Sequence, residues 1–166
     1  MVNEYLKKVP PEKGWYLTGF VDGEGSFNVS FTRNNDFRLK WKVTPSFNVS
    51  QRDKTILFLL KRYLMCGRIK QRKDGLWIFV VENPNSLKER VIPFFQRYCF
   101  LSSRARKNFS IFCGIVKLII DNRHLTKEGL VLIAGLREKL NEGRGRKRKF
   151  NSSDVLISIK SSETIR

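Results

Sequence analysis

Strict alternation of apolar and polar residues dominates the first third of the chain. From Phe37 to Ser50 the apolar residues Phe37, Leu39, Trp41, Val43, Pro45, Phe47 and Val49 alternate with Arg38, Lys40, Lys42, Thr44, Ser46, Asn48 and Ser50. A period of two sustained this long excludes a helix. It predicts a strand with one face on a core and the other in solvent, as an antiparallel sheet permits. Phe27–Thr32 alternates in the same way, and Arg33–Asp36 joins the two as a turn. Pro45 cannot donate to a ladder, so an edge or a bulge is expected there. Arg68–Arg72 and Leu76–Glu82 read as a second pair of strands around an Asp74-Gly75 turn.

The remaining segments have helical spacing. An apolar run (Trp15, Leu17, Phe20, Val21) precedes the first strand. Lys54–Met65 places Ile56, Leu57, Leu60 and Leu64 on one face, with Asp53 as its cap and Gly67 as its stop. Ser86 and Glu89 have capping-box spacing and open a helix that Pro93 disturbs. Ser102 or Ser103 starts a helix running from Arg104 to about Asn122, and Thr126 starts another that reaches Glu142. The order helix, two strands, helix, two strands, helices predicts an α+β domain over residues 1–142, its sheet covered on one face. Residues 143–166 read as a basic, Ser-rich tail, partly ordered, in which Val155–Ile159 is a short strand or a docked segment.

Charge adds a partner to this outline. The chain has 166 residues and a formal net charge of +18. Such an excess predicts a polyanionic partner and salt-dependent binding. The polar face from Arg38 to Ser50 contains no acid, whereas an ordinary solvated face would mix both signs. A two-stranded ribbon fits the DNA major groove, and a strand of this length at about 3.3 Å per residue spans roughly 45 Å, or ten or more base pairs. The set facing double-stranded DNA is then Asn28, Ser30, Thr32, Asn34, Arg38, Lys40, Lys42, Thr44, Ser46, Asn48, Arg68, Lys70 and Arg72. Arg144, Arg146, Lys147 and Arg148 lie in a basic run without periodicity, suited to gripping phosphate. A membrane surface is a poor alternative, because the basic residues ride on strands and Lys117 interrupts the apolar run Phe109–Ile120. No secretory leader is expected, since Met1–Lys13 is polar and contains Pro10-Pro11. Cys66, Cys99 and Cys113 are widely spaced in apolar surroundings and read as reduced core thiols, not as a disulfide or zinc framework. They imply a reducing compartment, and the expected DNA partner narrows it to one that holds DNA, such as an organelle (chloroplast or mitochondrion) or a prokaryotic cytoplasm. His124 is the one histidine, which argues against a histidine-ligated metal or a histidine triad.

The chemistry concentrates in Trp15–Phe27, WYLTGFVDGEGSF. Gly19 and Gly23 stand four apart, so they bare one helix face to close approach by another backbone. Gly25 stops the helix and leaves Asp22 and Glu24 at its C-terminal end, where carboxylates are unfavourable on their own. A divalent cation reverses that sign, because carboxylate and freed carbonyl oxygens are the ligands Mg²⁺ and Ca²⁺ prefer. A helix stop followed by a solvated turn is the competing reading of the same residues.

The run Leu17-Thr18-Gly19-Phe20-Val21-Asp22-Gly23-Glu24-Gly25, with Ser26-Phe27 after it, resembles the signature of the LAGLIDADG homing endonucleases, and a weaker likeness extends to about Asn141. The resemblance implies the αββαββα fold, with a curved four-stranded antiparallel sheet and helices on one face. It implies Mg²⁺-dependent hydrolysis of both strands of a long DNA site, with Ca²⁺ or Mn²⁺ as substitutes. The signature occurs once, as in family members that are homodimers paired through this helix. Leu17, Thr18, Gly19, Phe20, Asp22 and Gly23 are then the expected interface, and two copies imply a pseudo-palindromic site of roughly twenty base pairs. Glu24 and the Gly23 carbonyl match the metal-binding positions. Gln51 matches a glutamine that orders water. Lys54, ahead of Arg52, matches one basic position, and Arg104, then Arg106, a second whose ungapped counterpart is Ala105. Some family members assist splicing of their own introns, so an RNA-binding maturase is one alternative, and a catalytically silent DNA-binding protein on the same scaffold is a second. Host intron RNA is therefore an alternative partner.

Overall fold

A computed structural model of the chain describes residues 4–141 and 149–161. A short helix α1 (Glu4–Lys7) leads into α2 (Pro11–Glu24), followed by strands β1 (Gly25–Arg33) and β2 (Trp41–Gln51). Helix α3 (Thr55–Leu64) crosses to β3 (Arg68–Gln71) and β4 (Trp77–Val81). The rest is helical: α4 (Pro84–Ser86), a π-helical turn (Leu87–Val91), α5 (Ile92–Arg97), α6 (Ser103–Ile120), α7 (Lys127–Glu138) and α8 (Ser152–Ser161). The sheet is antiparallel throughout, in the order β1-β2-β4-β3. This is the predicted α+β order, with α2, α3 and α6 packed on one side of the sheet.

The alternation in sequence becomes the division between core and open face. Phe27, Val29 and Phe31 of β1, Trp41, Phe47 and Val49 of β2, and Phe79 and Val81 of β4 are buried. Phe27 stacks on Phe47 at 5.2 Å between ring centroids and meets Phe112 of α6 at 5.0 Å. Pro45 pairs with Val29 without a slip, so there is no bulge. The β4 register begins only at Phe47, which leaves β2 bare beside the proline: the expected edge is local.

Several boundaries differ from expectation. The second strand starts at Trp41, not Phe37, because β1 ends where Arg33 pairs with Trp41 and residues 34–40 must form the loop. Turn bonds hold that loop (Phe37 N–H to the Asn34 carbonyl, 3.3 Å; Lys40 N–H to the Phe37 carbonyl, 2.7 Å), and Lys40 is left-handed at φ 57°. Half-buried Phe37 and Leu39 had counterfeited a strand period. Helix α3 is ended by Met65 at φ 53°, two residues before Gly67. Asn83, not Ser86, caps the helical stretch after β4, accepting from Ser86 N–H at 3.0 Å, with Pro84 in the first turn. The π-helical turn directly precedes Pro93, whose missing N–H breaks the regular ladder. Val155–Ile159 is helical, within α8. Val155 and Ile159 are buried, and Ser158 Oγ accepts from Trp41 Nε1 at 2.7 Å. Cys99 is exposed, whereas Cys66 and Cys113 are half-buried. Burial pushes the Cys66 thiol up to about 11 and that of Cys113 up to about 12.

Candidate functional site

Helix α2 is apolar on two sides. Leu17 and Val21 fill the protomer's own core, and the Thr18 hydroxyl donates to the Tyr98 carbonyl at 3.0 Å. The other side carries Trp15, Tyr16, Gly19, Phe20 and Gly23, with Trp15 48% and Tyr16 59% exposed. A Cβ added at Gly19 or Gly23 would meet nothing within 4 Å. Beside them lie Cys99 and Leu101, the latter 82% exposed, around a recess of about 440 Å³. Of the expected interface residues, Gly19 and Gly23 thus face outward, and Phe20 is half-buried against the protomer's own core. Leu17 has no surface to offer a partner, and the Thr18 hydroxyl is already engaged.

The two acids at the end of α2 have different fates. Asp22 turns to the N-terminus of α6. Its Oδ2 accepts from Ser102 N–H at 3.0 Å, and its Oδ1 accepts from the Ser102 hydroxyl. Ser102 in turn caps α6, accepting from Ala105 N–H at 3.1 Å. Burial pushes the Asp22 carboxyl up. The bonds from Ser102 and Leu101 and the charge of Arg104 outweigh it and hold the group below its ordinary 3.8. The positive end of α6 therefore cancels the cost of an acid at the negative end of α2. Glu24 is exposed and makes no hydrogen bond or ion pair with the described residues. The adjoining Gly23 carbonyl belongs to the last turn of α2, where the helix supplies no donor. Carboxylate plus carbonyl is a hard-oxygen donor set that fits Mg²⁺ or Ca²⁺. One protomer brings few such ligands, and the described residues contain no cluster of three or more acidic, histidine or cysteine side chains able to hold a metal.

The open face of the sheet forms one wall of a groove of about 1310 Å³. Asn28 and Ser30 of β1, Ser46 and Asn48 of β2, and Lys70 with the adjacent Arg72 line it, as expected. Thr32, Lys42 and Thr44 share that face by register, Ser30 opposite Thr44 and Thr32 opposite Lys42. Asn34, Arg38 and Lys40 occupy the 34–40 loop and not a strand. Arg68 donates to Glu82, and Arg72 Nη2 reaches Asp74 at 2.8 Å. Arg144, Arg146, Lys147 and Arg148 lie outside the described residues.

Among the described residues, Arg104 alone of the expected catalytic side chains lines the groove. Gly25 pairs with Val49, so Gln51, two residues beyond, ends β2 beside the end of α2. Gln51 Oε1 accepts from Arg52 N–H at 2.8 Å. Lys54 Nζ lies 5.1 Å from the ring centre of Trp77, which pairs with Gln51. Arg104 lines the groove and donates to the Asp22 carbonyl at 3.4 Å. Arg106 is exposed but is not among the described residues lining the groove, whereas Lys107, one helical turn from Arg104, is.

Sequence reasoning missed other lining residues. Ile78, Val80 and Glu82 of the β4 region face the groove, alternating with core residues Phe79 and Val81. Because β4 is apolar on both faces, that alternation carried no visible signal. Asn141, left-handed at φ 57°, donates from Nδ2 to the Phe27 carbonyl at 2.8 Å. Asn108 clasps it through two bonds of 3.0 Å. Together they satisfy the Phe27 carbonyl near the start of β1, an edge strand.

A profile of the LAGLIDADG endonucleases matches residues 17–116, spanning the C-terminal half of α2, the whole sheet and most of α6. The chain belongs to the LAGLIDADG endonuclease family. A probable intron-encoded endonuclease of Neurospora crassa is 33% identical over 145 residues, 85% of this chain and 32% of that protein. The homing endonuclease I-ApeII of Aeropyrum pernix is 29% identical over 142 residues, 81% of this chain and 84% of that protein. The solved structure of the archaeal intron-encoded homing endonuclease I-Vdi141I in complex with DNA superposes with a TM-score of 0.83 at 29% identity, covering 92% of this chain and 98% of that one. The chain spans about a third of the length of the Neurospora relative. Among the described residues, no helix is long and apolar enough to cross a membrane.

Proposed function

We propose that two copies of this LAGLIDADG chain form a homodimeric, Mg²⁺-dependent endonuclease that cuts both strands of a long pseudo-palindromic DNA duplex. The observation that carries this reading is Glu24. It is an exposed carboxylate without a protein partner, at the end of a glycine-faced helix and beside a groove lined by cations. Isologous pairing through Gly19, Phe20 and Gly23 brings the two Glu24 side chains together at the mouths of two grooves. Glu24 and the Gly23 carbonyl would hold the metal. When bound, Mg²⁺ (or Mn²⁺ or Ca²⁺ in its place) supplies charge neutralisation at the scissile phosphate and acidifies water. The Gln51 amide orients a water molecule. Lys54 and Arg104 offset the negative charge that develops as the oxygen of water bonds to phosphorus and the bond to the 3′ oxygen breaks. The sheet's polar face reads base edges, with the groove cations on phosphates.

The test is selection of cleavable sites from a randomised duplex pool with Mg²⁺, followed by Glu24→Gln on a selected site. The variant is expected to bind that duplex nearly as well as the parent and to cut it at least a hundredfold more slowly, on the order of what a lost metal ligand costs. Undiminished cutting by the variant removes the metal role from Glu24.

A further inference from the structure

We infer that Glu82 is a specificity-determining residue, which converts Arg68 from a phosphate grip into a reader of base edges; this rests on the DNA-binding reading above. Glu82 directly follows β4 and faces the groove with Ile78 and Val80. Arg68 of β3 pairs with Val80, so Glu82 is its diagonal cross-strand neighbour, and Arg68 Nη2 donates to Glu82 Oε2. Seven of the described residues lining the groove are Lys or Arg, and Glu82 is the acid among them.

A carboxylate in a polyanion-binding groove weakens every complex the groove can make, by repelling phosphate. The pair is substantially exposed, 58% for the Arg68 side chain and 38% for that of Glu82, so it adds little to fold stability. What it does alter is the behaviour of the arginine. A lone Arg68 could swing to any nearby phosphate. The contact from Nη2 to Glu82 restrains the guanidinium on the groove side of the strand, and the adjacent negative charge disfavours the phosphate backbone. A planar fork restrained in this way suits the two acceptors on a guanine edge. Half-buried Ile78, on the same face of β4, offers an apolar contact suited to a thymine methyl group.

The test uses a cleavable duplex and its single-base-pair variants, with affinities measured at one salt concentration for the parent, Glu82→Gln, Arg68→Ala and the double variant. Glu82→Gln is expected to bind non-specific duplex severalfold more tightly. It should also lose discrimination on the order of tenfold at one base pair of each half-site, with the other positions unchanged. In the Arg68→Ala background, Glu82→Gln should have no further effect at that base pair. Unchanged discrimination, weaker binding to every duplex, or a loss spread over all positions overturns the role of Glu82. Failure of the parent itself to bind any duplex overturns the DNA reading instead, so the two failures are distinct.

Discussion

At Asp22 and Glu24, two carboxylates separated by one glycine acquire opposite roles. Asp22 is tied to Ser102 and the start of α6, whereas Glu24 stays open to whatever the groove binds. The pH dependence of stability separates them. The carboxyl of Asp22 is held below its ordinary 3.8, so the unfolded chain takes up that proton more readily than the folded one. Its stabilisation is therefore complete above about pH 4 and is lost as the pH falls through the lower, folded value. Urea unfolding between pH 7 and pH 2.5 should show a smaller acid loss for Asp22→Asn than for the parent, with the variant already less stable at pH 7. Equal acid profiles would remove Asp22 from the fold's acid sensitivity. Sequence spacing placed both acids at one helix end; only the approach of Ser102, 80 residues away, distinguished them.

At the scale of the element, α2 uses its glycines for two purposes. Gly14 and Gly25 are glycines because the fold is tight around them: an added Cβ would sit 2.3 Å from the Tyr98 ring or 2.4 Å from Val21 Cγ1. Gly19 and Gly23 open onto space. Gly25→Ala should therefore cost about 1–3 kcal/mol of protomer stability in urea unfolding, as overpacking does. Gly19→Val should fold with little change and fail to pair with a second copy, so sedimentation would report a monomer. A Gly19→Val protein that still sediments as a dimer would exclude this helix face as the interface. The motif residues were recognisable in the sequence. Which of them face inward was not, because a helix with apolar residues on two sides has no single buried stripe.

For the whole molecule, electrostatics dominates. The net charge of +18 is expressed as a groove wall that includes Lys70, Arg72, Arg104 and Lys107. The logarithm of DNA affinity should fall linearly with the logarithm of salt, with a slope of about −6 or steeper at roughly 0.9 per phosphate contact. A shallow slope measured by fluorescence anisotropy would refute phosphate gripping by this wall. The strand proposed to face DNA is shorter than its sequence pattern implied. The 11 residues of β2 reach roughly 36 Å at about 3.3 Å each, and Arg38 and Lys40 project from the loop instead. On the proposed reading, contacts at the far end of a half-site would fall to a turn, whose side chains are less rigidly aimed than those of a paired strand.

Local periodicity and a contiguous signature determined the α+β order, the polar and apolar faces of β1 and β2, the cap at Thr126, the start of α6 at Ser102 or Ser103, and the acids at the end of α2. Each depends on residues within a few positions of one another. Everything that depends on distant segments waited for the tertiary structure: the truncation of β2 by the end of its partner, the capture of Asp22 by α6, the Asn108–Asn141 clasp on β1, and the pairing of Glu82 with Arg68. The physical reason is that a hydrogen bond or ion pair between segments is set by where two backbones meet. A hydrophobic repeat specifies which side of an element is buried, but not which neighbour lies across from it.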